Sequence, residues 1–147
     1  MGDEQRVSWQ ELIAQSREDF DAGTDFTLAV EEEFALLDTH TLELTGRFEE
    51  IYAAALETDL APNVVGELIA SEVEVRTGRC ENFGEAAAAM QERRSQIHGV
   101  ARELQVALGG TGTHPWSRWQ DHRIIDTPHY RRNDGILGYV VWRSNTF

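Results

Sequence analysis

Hydrophobic positions change period several times along the chain, and each change marks an element. Behind a Ser8–Glu11 capping pair, Trp9, Leu12, Ile13, Ser16 and Phe20 recur at spacings of three and four until Gly23, which predicts an amphipathic opening helix. From Phe26 the period falls to two. Phe26, Leu28, Val30, Phe34 and Leu36 fall on one face of a predicted strand, and Thr27, Ala29, Glu31, Glu33, Ala35 and Leu37 on the other. Helical spacing returns from Arg47 to Asp59 through Phe48, Ile51, Tyr52, Ala55 and Leu56, and Pro62 closes that segment. Between Leu68 and Thr77 the chain alternates again. Ile69, Ser71, Val73 and Val75 stand opposite Ala70, Glu72, Glu74 and Arg76, a second strand with acids on one face.

The clearest helical stripe opens at Asn82, with Glu85 three residues on. It runs through Phe83, Ala86, Ala87, Met90, Ile97, Ala101, Leu104 and Leu108 to Gly109 and Gly110, a predicted helix of about 39 Å. Residues 113–126 are irregular and rich in aromatics. Thr127, with Pro128 at the first helical position, starts a last predicted helix holding Tyr130, Leu137, Val140 and Val141. No internal repeat or linker interrupts these segments, and strands interleaved with helices indicate an α+β or α/β domain.

The 147 residues fit one domain with its own core, and 41% hydrophobic with 27% charged residues excludes a disordered chain. No apolar run approaches the roughly 18 residues of a membrane span. All 13 basic residues are arginine, which removes a Walker A lysine and a Schiff-base lysine. A net charge of -13 repels nucleic-acid backbones and anionic membranes. The charge is unevenly placed: residues 1–85 hold 21 acids and 5 arginines, residues 86–147 hold 5 acids and 8 arginines. Cys80 is the only cysteine, so no internal disulfide forms, and without a basic-then-apolar leader the expected location is cytoplasmic.

Three adjacent carboxylates, Glu31 to Glu33, interrupt a strongly apolar strand, where glutamate is unfavourable and an unpaired buried charge is costly. Alternation places Glu31 and Glu33 on one face roughly 6.6 to 6.8 Å apart and turns Glu32 the other way, toward an arginine. Glu72 and Glu74 repeat the spacing. Four carboxylates on a shared face would form an all-oxygen site suited to Mg²⁺ or Mn²⁺ rather than zinc; a solvated acidic strand face fits the pattern equally well. Gly110 to Pro115 lacks the third glycine of a phosphate loop and reads as a turn. Trp116, Trp119, Arg118 and Arg123 could stack on a base or clamp phosphate, while aromatic loop residues more often pack the loop down. His98 and Cys80 read as structural.

Taken together, four ordered blocks resemble one family. They are Val30-Glu31-Glu32-Glu33-Phe34, Ser71-Glu72-Val73-Glu74-Val75-Arg76-Thr77-Gly78, Gly112-Thr113-His114-Pro115-Trp116-Ser117-Arg118-Trp119, and Tyr130-Arg131-Arg132. In order and spacing they are similar to the carboxylate-amine ligases related to glutamate-cysteine ligase, also called glutamate-cysteine ligase type 2. The resemblance covers residues 24–147 and leaves 1–23 as an N-terminal helical extension. It implies a glutamine-synthetase-like α+β fold, an antiparallel sheet with packed helices. It also implies ATP-dependent joining of the γ-carboxylate of glutamate to cysteine or a similar amine through an acyl phosphate, with ATP and Mg²⁺ or Mn²⁺ as cofactors. By position it makes Glu31, Glu33, Glu74 and, less closely, Glu72 metal ligands, and puts His114 and Arg132 on the substrate side. Ala29 stands where relatives usually carry glycine. Relatives also continue past Phe147 into a strand with a His-x-His motif, so the chain is expected to be the N-terminal part of a longer ligase. The competing expectation is a non-catalytic acidic module that binds a divalent cation or self-associates through an exposed sheet edge.

Overall fold

The computed structural model describes residues 8–144. Helix α1 (Trp9–Asp21) starts at Ser8, whose hydroxyl accepts from the Glu11 amide while the Glu11 carboxylate accepts from the Ser8 amide, the predicted capping box. Its apolar stripe packs against nothing: none of its residues is buried.

Strand β1 (Glu31–Asp38) begins later than the alternation suggests. Phe26 adopts a left-handed φ of 66° and is fully out in solvent, so the extended pattern breaks there, and Leu28 makes only an isolated bridge to Cys80. Helix α2 (Phe48–Leu56) follows as predicted. The chain then makes a 3₁₀ turn (Ala61–Asn63) and a two-residue strand, β2 (Val64–Val65), which the alternation does not reveal.

The strand predicted from Leu68 is confined to β3 (Glu72–Arg76). Ala70 is drawn out of line by two backbone bonds, its amide to Arg123 and its carbonyl to Phe48, and the chain turns at Ala70–Ser71. Helix α3 (Phe83–Glu103) is capped by Asn82 as expected but stops short. Gln105 takes a φ of 55°, and the chain reverses into strand β4 (Val106–Gly109), so Val106 and Leu108 reach the core from a strand rather than from the predicted helix. Phe83, expected in the buried stripe, is exposed. The single last helix divides at Gly138, whose φ of 54° and ψ of -134° interrupt it, into α4 (Pro128–Leu137) and α5 (Tyr139–Ser144).

The sheet is antiparallel throughout, in the order β2-β3-β1-β4. Five α-helices among the described residues and this four-stranded sheet make an α+β domain. One sheet face holds Phe34, Leu36, Val73 and Val75 against Ile51 and Ala55 of α2 and Met90, Ile97 and Ala101 of α3, forming the main core. Glu32 points to that side and meets Arg94 of α3, which donates to both carboxylate oxygens at 2.6 and 2.5 Å, as alternation requires. The opposite face is therefore left to Glu31, Glu33, Glu72 and Glu74.

Candidate metal centre

Antiparallel pairing sets the geometry of the acidic face. Glu33 lies directly across from Glu74, Glu31 from Arg76, and Ala35 from Glu72. β2 pairs on the far side of β3, with Val65 opposite Glu74, and the chain leaves β2 through Gly66 to Glu67. One carboxylate oxygen from each of Glu33, Glu67 and Glu74 lies within 4.8 Å of the others, the spacing of a group that can hold one cation.

The sequence-predicted residues divide on this geometry. Glu33 and Glu74 stand in the triad. Glu31 is one pairing step away and exposed, close enough for its charge to act on Glu74. Glu72 is fully buried opposite Ala35, beside the triad rather than in it. His114 is elsewhere: its Nε2 is 2.8 Å from the Leu42 carbonyl and its Nδ1 accepts from the Ser117 amide at 3.1 Å, so both ring nitrogens tie down the 114–117 loop. Arg132 is exposed on α4.

Glu67 is the residue that sequence reasoning missed. Its position depends on β2, a strand too short to show a period, and the only available signal was the Val64-Val65-Gly66-Glu67 run preceding an acidic strand. The backbone there is tightly held. A Cβ on Gly66 would sit 2.4 Å from Phe48 Cζ, so only glycine lets the chain pass the aromatic ring on its way to Glu67. The Tyr130 hydroxyl donates to the Gly66 carbonyl at 3.3 Å and anchors this crossing from α4.

Electrostatics mark the triad as the strained part of the molecule. Burial is the main reason that the Glu74 carboxyl is pushed up to about 7, and the negative charge of Glu31 and a hydrogen bond shared with Glu67 push it the same way. Arg76, 3.7 Å from Glu74, opposes the shift without cancelling it. The phenol of Tyr130 is raised as well, by burial and then by the charges of Glu67, Glu74 and Glu72. A cluster that carries excess negative charge at neutral pH and offers only oxygen donors fits Mg²⁺, Mn²⁺ or Ca²⁺, and a cation there would remove the repulsion.

The sequence pattern described as glutamate-cysteine ligase family 2 matches residues 27–144. The chain belongs to this family, a class of ligases. A protein of Mycobacterium sp. (strain KMS), named "Putative glutamate--cysteine ligase 2-1", is 38% identical over 117 residues, covering 80% of this chain and 30% of that protein. A Rubrobacter xylanophilus relative of the same name, numbered 2-2, is 39% identical over 131 residues, covering 88% of this chain and 33% of its own length. A Polaromonas naphthalenivorans relative is 32% identical over 132 residues, with 90% and 35% covered. The chain thus spans about a third of the length of the curated relatives it matches. No helix among the described residues is long and apolar enough to cross a membrane.

Proposed function

We propose that this chain carries the acidic, cation-holding part of an ATP-dependent carboxylate-amine ligase acting in the cytoplasm, which joins the γ-carboxylate of glutamate to cysteine or a similar small amine. The observation that carries the reading is the convergence of Glu33 from β1, Glu74 from β3 and Glu67 from the segment just after β2, in a chain of this family. Formation of an amide from a carboxylate needs a leaving group on the acyl carbon. Phosphoryl transfer from ATP supplies it as an acyl phosphate, and the amine then displaces phosphate. A Mg²⁺ or Mn²⁺ ion bound by the triad would neutralise charge on the phosphates during that transfer.

The remaining work falls to this chain's own groups. Glu33 and Glu74 are fixed by a directly opposed strand pair, so their separation is set by the sheet rather than by flexible loops. Glu31 and Arg76 form the next rung, where the guanidinium can meet an anionic group arriving beside the cation. With no lysine anywhere, arginine alone provides positive charge for phosphate or carboxylate recognition.

The test is ADP release from ATP and Mg²⁺ with glutamate and a panel of amines including cysteine. Amine-dependent turnover abolished by Glu33→Gln and by Glu74→Gln supports the ligase reading. Silence from a folded chain that binds Mn²⁺ supports the second reading, a non-catalytic cation-binding or self-associating module.

A further inference from the structure

The three carboxylates of the acidic triad are not held alike. Glu33 and Glu74 face each other across a paired rung of β1 and β3, so the sheet fixes both. Glu67 stands on the irregular 66–67 segment, after the two rungs of β2 and before the single bridge from Ile69 to Ile124. A ligand on such a segment has to be ordered by something other than its own strand, or a cation loses affinity by ordering it on arrival.

The chain running into α4 supplies that order. On the C-terminal side of Glu67, the Ile125 amide donates to the Leu68 carbonyl at 3.0 Å and the Ala70 amide to the Arg123 carbonyl at 2.8 Å. On its N-terminal side, the Tyr130 hydroxyl donates to the Gly66 carbonyl at 3.3 Å. The carbonyls of both neighbours of Glu67 therefore accept from one segment, 125–130. That segment is itself firmly built: the Thr127 amide donates to the Ile125 carbonyl at 2.9 Å, the Thr127 hydroxyl caps α4 by accepting from the Tyr130 amide at 3.2 Å, and the Tyr130 ring packs against the main core. The bonds at Leu68 and Ala70 run backbone to backbone and do not depend on residue type. The bond at Gly66 needs a hydroxyl at position 130.

We propose that Tyr130 is a positioning residue for the cation site, its hydroxyl holding the Gly66 peptide so that Glu67 stands within reach of Glu33 and Glu74 before a cation arrives. This role rests on the triad binding a cation and not on the ligase chemistry. Burial, and then the charges of Glu67, Glu74 and Glu72, hold the phenol proton in place, so the oxygen remains a donor across the neutral range.

Mn²⁺ titrations followed by electron paramagnetic resonance test it, with circular dichroism showing that each variant is folded at the titration temperature. Tyr130→Phe keeps the ring in its packing and removes only the oxygen. It should weaken Mn²⁺ binding by about 5-fold, the contribution of one ordinary hydrogen bond. The loss should persist when Tyr130→Phe is combined with Glu33→Gln and shrink below about 2-fold when it is combined with Glu67→Gln, because the hydroxyl acts through Glu67 alone. A merely structural loosening of the acidic face would weaken binding equally in both combinations, and equal losses overturn the proposal. Unchanged Mn²⁺ binding in Tyr130→Phe overturns it too, with the cation site left standing. A wild-type chain that takes up no Mn²⁺ overturns the cation reading of the triad and this role with it.

Discussion

Glu74 sits opposite Glu33 in a buried stretch of sheet, and its carboxyl is raised to about 7 chiefly by burial. A carboxyl whose folded pKa lies above its unfolded value gives stability that is present below the unfolded value and is lost as pH rises through the folded one. The cation-free chain is therefore expected to lose on the order of 2 kcal/mol between about pH 4.5 and pH 7 to 8. Urea denaturation across that range measures it, and Glu74→Gln should flatten the curve. The same proton must leave when a cation binds. Calorimetry of Mn²⁺ binding in buffers of different ionisation enthalpy should show proton release near or below pH 7 that fades at higher pH. Gly66 supplies a further test at this scale. Gly66→Ala forces its Cβ against Phe48, which should cost about 1–3 kcal/mol in stability and weaken Mn²⁺ binding by displacing Glu67, whereas Ala at Gly99, where the space is open, should leave binding unchanged.

Elements begin and end in this protein at single residues with unusual backbone, and these were the features least visible in the sequence. The capping pairs of α1 and α3 were readable because Ser8-Glu11 and Asn82-Glu85 are chemically distinctive. The end of α3 was not, since Leu104 and Leu108 keep helical spacing on paper while Gln105 reverses the chain between them. A glutamine pays for that φ of 55° where glycine would not. Gln105→Gly should raise stability by about 0.5–1 kcal/mol through relief of that backbone strain, read as a higher melting temperature than wild type. Gly138 is the converse. Its φ of 54° with ψ of -134° is accessible to little besides glycine, so Gly138→Ala should destabilise the α4–α5 corner by about 1–3 kcal/mol, read as loss of the Trp142 to Asp134 hydrogen bond in fluorescence or exchange. The acidic site was legible to the same degree. Alternation alone puts Glu31 and Glu33 on one face and Glu32 with an arginine on the other. The register that chooses Glu33 over Glu31, and the short β2 that delivers Glu67, arise only from pairing between distant segments.

For the molecule as a whole, charge is the governing quantity. Net -13 on 147 residues opposes compaction, and the two electrostatically opposite halves relieve part of it where they meet, at Glu32 with Arg94 and at Glu49 with Arg123, the latter pair bidentate at 2.7 and 2.8 Å. Pairs as exposed as these contribute on the order of 0.2–1 kcal/mol each, too little to balance the excess. Repulsion is instead concentrated on the open sheet face, where three carboxylates converge and screening by monovalent salt is weak because one of them is buried. Two kinds of cation should therefore act differently. Sodium chloride should raise the melting temperature gradually by screening the surface. Mg²⁺ or Mn²⁺ at matched ionic strength should raise it further, with saturation at one ion per chain, because binding to the folded state alone stabilises by mass action. Glu33→Gln should remove the divalent excess and leave the sodium response unchanged. Equal responses to the two salts at matched ionic strength would show that the triad is a solvated acidic face and not a cation site.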